Sequence, residues 1–252
     1  MAEPLPDVVS EARRVLALAE GRSVALRLLG GVAVRLRAAE AFPETLSRSY
    51  GDLDFVTAKG SSGAVGELFS AAGYEADRAF NALHGRERLI FYDEPNGRKV
   101  DVFVGQFAMC HEVPVGERLG VDPISIPLAE LLLTKLQVVE LNEKDVTDVI
   151  ALLATHELGD EDGSRLNAAR VAALCAADWG LWRTITANLA VCRERVSEAP
   201  VQEAVRQQVG ERLDALLERI EAEPKTRGWK LRARVGERKR WYDLPEEVEA
   251  GV

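Results

Sequence analysis

LLGGVAVRLRAAEAFPETLSRSYGDLDFVT, residues 28–57, is the stretch on which the fold turns. Its end, GDLDFVT, alternates polar and apolar residues and predicts a strand. Successive side chains of a strand point to opposite faces, so Asp52 and Asp54 project together while Leu53 and Phe55 face the core. Two carboxylates on one face repel each other unless a cation neutralises them. Mg2+, or Mn2+ in its place, suits that position, because a hard cation binds one or two carboxylates together with substrate phosphates. At the other end, Gly30 and Gly31 separate a short apolar run, residues 24–29, from a helix expected over 32–39. Free backbone N–H groups at a helix start hold anionic phosphate, and glycines permit close approach. Arg48, between the two ends, either pairs with Glu44 or faces a triphosphate.

Outward from this stretch, apolar residues at helical spacing predict a helix over 6–19 and another over 61–72, opened by Ser61 or Ser62. RLIFYD and RKVDVFVG read as strands joined through Asn96-Gly97, a strong hairpin signal. Asp101 lies inside the apolar run VDVFV, where an ionised carboxylate is costly without a partner. If this strand lies beside GDLDF, three carboxylates converge in a pattern suited to two-metal phosphoryl transfer. Asp93 is the competing third carboxylate, but its place beside a turn predicts a solvated role.

From Pro127 onward the pattern is helical: LAELLLTKLQVVEL, then EKDVTDVIALLATHEL, then an Ala-rich run over 166–198 and a last helix over about 200–223. No segment there reads as a strand. The fold class expected is α/β (α+β), with a small mixed sheet in residues 1–120 and a helical domain over 121–252.

Gly-Gly-x-Ala opening a helix, then Arg-x-x-x-Asp-hydrophobic-Asp on a strand, resembles nucleotidyltransferases of the polymerase-β superfamily. The arrangement is most similar to the bacterial AbiEii-like and minimal nucleotidyltransferase families. Gly30, Gly31, Ala33, Arg48, Asp52, Asp54 and, by position, Asp101 carry the likeness. Farther on, a Leu-rich helix with Lys135 precedes a helix with Asp145 and Asp148, as in those families. The second signature residue is Gly31 where the wider superfamily commonly has serine, and the interval from Gly31 to Asp52 is longer than in compact members. The resemblance covers about residues 24–155. It implies a nucleotidyltransferase core in which Asp52, Asp54 and Asp101 bind Mg2+ and act in catalysis. It also implies that Gly30, Gly31, Arg48 and Lys135 hold ATP or another nucleoside triphosphate. The acceptor hydroxyl would lie on RNA such as tRNA, on a protein or on a small molecule. The alternative is a non-catalytic nucleotide- or RNA-binding protein, such as one half of a toxin–antitoxin pair.

The residues themselves limit other readings. Lys135 sits on a strongly apolar helix, where its amine either reaches outward along the stem or aims at phosphate. Asp145 and Asp148 are near-neighbours on one helix side, which also fits a helix-start charge and a surface ion pair. His84, His111 and His156 lack metalloprotease spacing, and no GxSxG elbow or Walker loop is present. Cys110, Cys175 and Cys192 are too few for a disulfide framework or a zinc site and read as buried thiols. The start, MAEPLPDVVSEARR, lacks signal-peptide features, and no run reaches membrane-spanning length, so a cytoplasmic protein with no membrane partner is expected. Net charge is −9, yet eight basic residues and one acidic residue fall between Lys225 and Arg240, with Trp229 and Trp241 beside them. That tail either contacts RNA or docks on the protein's own acidic surface.

Overall fold

The computed structural model describes residues 3–244. It opens with α1 (Val8–Gly21), whose first turn is capped by the Asp7 carboxylate accepting from the Ser10 N–H. Ala12, Val15 and Ala19 form its buried stripe. Then come β1 (Leu26–Leu29), α2 (Gly30–Ala38), β2 (Asp52–Thr57), α3 (Ser62–Ala71), β3 (Glu75–Ala76), α4 (Arg78–His84), β4 (Arg88–Asp93) and β5 (Arg98–Val104). The five strands form one mixed sheet in the order β1-β2-β5-β4-β3, in which β2 and β5 run parallel and the other pairs antiparallel.

β5 is therefore central, and its residues are almost continuously buried, as a strand covered on both faces requires. The hairpin joining β4 to β5 turns at Gly97, whose left-handed φ of 59° suits glycine. Asp93 closes that hairpin instead of facing water. It is 1% exposed, accepts from Asn96 Nδ2 at 2.9 and 3.0 Å and lies 3.3 Å from Arg98. The solvated role expected for Asp93 is therefore corrected, because the turn folds its side chain inward onto Arg98.

A small hairpin, β6 (Phe107–Ala108) and β7 (Glu112–Val113), leads to a segment that runs beside β1. There the Leu28 N–H donates to the Ile124 carbonyl at 2.9 Å and the Ile126 N–H donates to Leu28 at 3.0 Å. Beyond it lie α5 (Leu128–Leu136) and α6 (Glu143–Thr155). β8 (Leu158–Gly159) and β9 (Leu166–Asn167) form a two-residue parallel pair that the helical pattern concealed.

The Ala-rich run divides into α7 (Ala168–Ala177) and α8 (Trp179–Arg195). Asp178 breaks it by adopting extended backbone and accepting from the Leu181 N–H at 2.8 Å. α9 (Glu203–Ala222) and α10 (Arg227–Val235) follow. α5 is buried at eight of its nine positions, and only Lys135 reaches a partly open environment. α5 and α6 pack on α2, and one cluster of buried residues runs from Ala12 to Ile220, joining the helical half to the sheet. All three cysteines are buried and free. Among the described residues, no helix is long and apolar enough to cross a membrane.

Candidate active site

The parallel pairing of β2 with β5 sets Asp54 directly opposite Asp101. In-register neighbours share a face, and Asp52 joins them two residues earlier at the exposed start of β2. Leu53 and Phe55, on the other face, are fully buried. Two charges at the strand spacing of ~5 Å repel by about 3 kcal/mol at an effective dielectric near ~20, so both ionise readily only beside a cation.

The two carboxylates meet this repulsion differently. Asp101, 6% exposed, accepts from Arg88 Nε at 2.7 Å and lies 3.2 Å from Lys99 Nζ. Asp54 has no such ion pair among the described residues. Burial, followed by the charge of Asp101, pushes the Asp54 carboxyl from 3.8 up to about 7, against the opposing pull of Lys135.

The glycine pair is explained by close approach. Gly30 opens α2 with φ +73°, and a Cβ there would collide with the Asp54 carboxylate. A Cβ on Gly31 would meet the Arg48 guanidinium and the Tyr50 ring. Among the described residues no side chain caps α2, whose first residue, Gly30, lies against Asp54. The sequence placed the helix start two residues later; the permissive backbone of Gly30 allows the turn to begin at once.

Arg48 and Lys135 converge on one anion. Asp148, buried within α6, accepts from Arg48 Nη2 at 2.8 and 3.1 Å and lies 2.9 Å from Lys135 Nζ. Asp145 accepts from the same amine at 3.2 Å. Burial acts to lower the Lys135 pKa, but Asp148 and then Asp145 outweigh it, and the amine is held above its ordinary value. Arg48 therefore does not pair with Glu44, which faces Arg35 at 3.5 Å instead. Lys135 is not turned outward, and Asp148 is not a surface ion-pair residue. A signal for Asp148 was present in the sequence: it precedes Leu152 by four residues and so lies on the apolar stripe of α6.

Tyr50 was missed entirely. Its ring lies 4.5 Å from the Arg48 guanidinium carbon, and among the described residues its buried hydroxyl has no hydrogen-bond partner. These groups surround a pocket of about 160 Å3 lined by Gly31, Arg48, Asp52, Asp54, Lys135 and Asp145 among others. It is smaller than the roughly 300–1,000 Å3 of a typical ligand site. A neighbouring cleft of about 910 Å3 shares Arg48, Ser49, Tyr50 and Gly51 with it.

Among known proteins, no family model and no curated protein matches this chain.

The donor chemistry decides what the pocket can hold. Asp52 and Asp54 offer carboxylate oxygens, the ligands a hard divalent ion takes, and the raised affinity of Asp54 for a proton reflects its burial first and the charge of Asp101 second. Asp101 fits the same role only when Arg88 and Lys99 release it. The expected convergence of three carboxylates is thus realised as two available donors and a third held by cations. Among the described residues, no group of three or more acidic, histidine or cysteine side chains forms a ready metal cage.

The histidines lie elsewhere. His84 is exposed and rests on Phe80. His111 is buried against the Thr184 hydroxyl at 2.8 Å, and His156 packs on the Leu152 carbonyl.

Proposed function

We propose that this chain is a metal-dependent nucleotidyltransferase of the polymerase-β type, moving a nucleotidyl group from a triphosphate to an acceptor hydroxyl. The observation that carries the reading is the in-register pair Asp54–Asp101, beside an uncapped helix start and the Arg48–Lys135 cation pair. Asp52 and Asp54 line one pocket with the cations Arg48 and Lys135, an arrangement that suits phosphoryl transfer.

In this reading Asp52 and Asp54 hold Mg2+ or Mn2+, with Asp101 joining them once its ion pairs open. The bound ion would supply charge neutralisation for the triphosphate and its leaving group. The α2 N–H groups, Arg48 and Lys135 orient the phosphates. Tyr50 and the adjoining cleft have room for the part of the nucleotide that the small pocket cannot enclose. The acceptor oxygen forms a bond to the α-phosphorus while the bond to the bridging oxygen of the β-phosphate breaks. Pyrophosphate leaves with that electron pair, and the hydroxyl proton passes to a carboxylate of the Asp52, Asp54 and Asp101 set.

One observation favours a second reading. Arg88 and Lys99 already neutralise Asp101, as in a domain that binds nucleotide without chemistry, for instance within a toxin–antitoxin pair. Pyrophosphate release from each nucleoside triphosphate, assayed with Mg2+ or Mn2+ and cellular RNA and protein as acceptors, separates the two. Release by wild type and none by Asp52→Asn supports transfer. Metal-dependent triphosphate binding without release supports the second reading, and equal release by both proteins refutes the site assignment.

A further inference from the structure

Among the described residues, no cation of the basic tail forms an ion pair with an acidic side chain. α10 is held by aromatic packing, with Trp229 edge-on to Trp182 at 5.1 Å between ring centres and Trp241 edge-on to Trp179 at 6.1 Å. Trp241 Nε1 donates to the Thr184 hydroxyl at 3.1 Å, and the Arg232 guanidinium lies over Trp179 while donating to the Gly236 and Lys239 carbonyls. This packing orients the helix. Trp229, Arg232 and Ala233 face the protein, and Arg227, Lys230 and Arg234 lie on the outward face at helical spacing. Arg238, Lys239 and Arg240 continue the exposed charge. Among the described residues, none of these six cations has an ion-pair partner.

We infer that this outward face of α10 and the segment after it bind the phosphate backbone of structured RNA. The chain carries net charge −9, so this concentrated run of exposed cations is a local exception matched to a polyanion. Both tail tryptophans are occupied in packing, so base stacking does not contribute and recognition falls on the backbone, independent of sequence.

The tail also reaches a cleft that Arg88 lines. The Asp243 N–H donates to the Cys110 carbonyl at 3.0 Å, and Asp243 and Leu244 line a cleft of about 280 Å3 together with Arg88, the partner of Asp101. The segment after α10 thus borders a cleft that contains the partner of Asp101, and the role of a bound RNA as acceptor depends on the proposed nucleotidyl transfer. RNA is favoured over DNA because transfer needs a free terminal hydroxyl, which RNA ends supply abundantly and long duplex DNA seldom exposes.

The test is fluorescence anisotropy of a labelled RNA hairpin with the full chain and with Arg227→Ser/Lys230→Ser/Arg234→Ser. Circular dichroism verifies that the variant is folded, and a DNA hairpin of matching sequence and phosphatidylserine vesicles are run in parallel. The inference expects the variant to lose at least tenfold in RNA affinity. Its slope of log affinity against log salt should flatten by about two to three, at ~0.7–0.9 for each of the three lost phosphate contacts. Equal RNA affinity in both proteins, or preference for the DNA hairpin or the vesicles, overturns it. Asp52→Asn/Asp54→Asn should bind RNA as wild type does, so loss of transfer and loss of RNA binding are read separately.

Discussion

Asp54 of β2 and Asp101 of β5 stand opposite each other in register on parallel strands, and among the described residues Asp101 alone of the two is held by an ion pair. A carboxyl that is buried without an ion pair, beside a charged neighbour, keeps its proton to higher pH.

That asymmetry gives stability a pH dependence with a definite sign. The Asp54 carboxyl titrates near 7 in the folded chain against an ordinary 3.8, so between those values the folded state binds more protons than the unfolded one. Its contribution therefore weakens stability progressively as pH rises from about 4 towards 7. Without metal, thermal unfolding of the wild type should fall across that window, and Asp54→Asn should show a flatter profile and melt higher at pH 8. Added Mn2+ should raise the wild-type melting temperature at pH 8 and leave the variant unmoved. Identical pH profiles for the two proteins would contradict the assignment.

The adjacent glycines should respond differently to the same methyl group. Gly30→Ala forces φ +73° on an alanine and drives Cβ into Asp54, so urea unfolding should show a loss of at least about 1–2 kcal/mol. Gly31→Ala keeps an ordinary backbone but must shift Arg48 Nη2 from Asp148 and press on the Tyr50 ring, so its smaller loss of about 1 kcal/mol should come from that pairing alone. Its triphosphate affinity should nevertheless fall, because Arg48 is displaced.

Asp148 should be needed most when no phosphate is present. Asp148→Ala leaves Lys135 and Arg48 without their shared anion, a change worth about 3 kcal/mol for a buried pair. Inorganic triphosphate should then raise the melting temperature of this variant more than that of the wild type. A smaller rise would mean that the two cations do not face the phosphate site.

Much of this was legible in the sequence because it depended on local periodicity. The alternation in GDLDFVT oriented Asp52 and Asp54, Asn96-Gly97 marked the β4–β5 hairpin, and the helical half followed from its apolar spacing. The missed features were long-range or very short. Asp148 meets Arg48 across 100 residues, and a one-dimensional pattern does not reveal that partnership. Arg88 reaches Asp101 because β4 and β5 pair, while β3, β8 and β9, at two residues each, are too short to show a period. Asp93 looked solvated because a carboxylate beside a turn usually is; here Arg98 and Asn96 draw it inward.

The most direct test of the central claim is to follow label from triphosphates carrying it at the α- or the γ-phosphate, in parallel, with Mg2+ and total RNA. The account predicts α-label on the acceptor with wild type, none with Asp54→Asn, and γ-label leaving as pyrophosphate. Label transferred from the γ-position, or α-label transferred equally by Asp54→Asn, would contradict it.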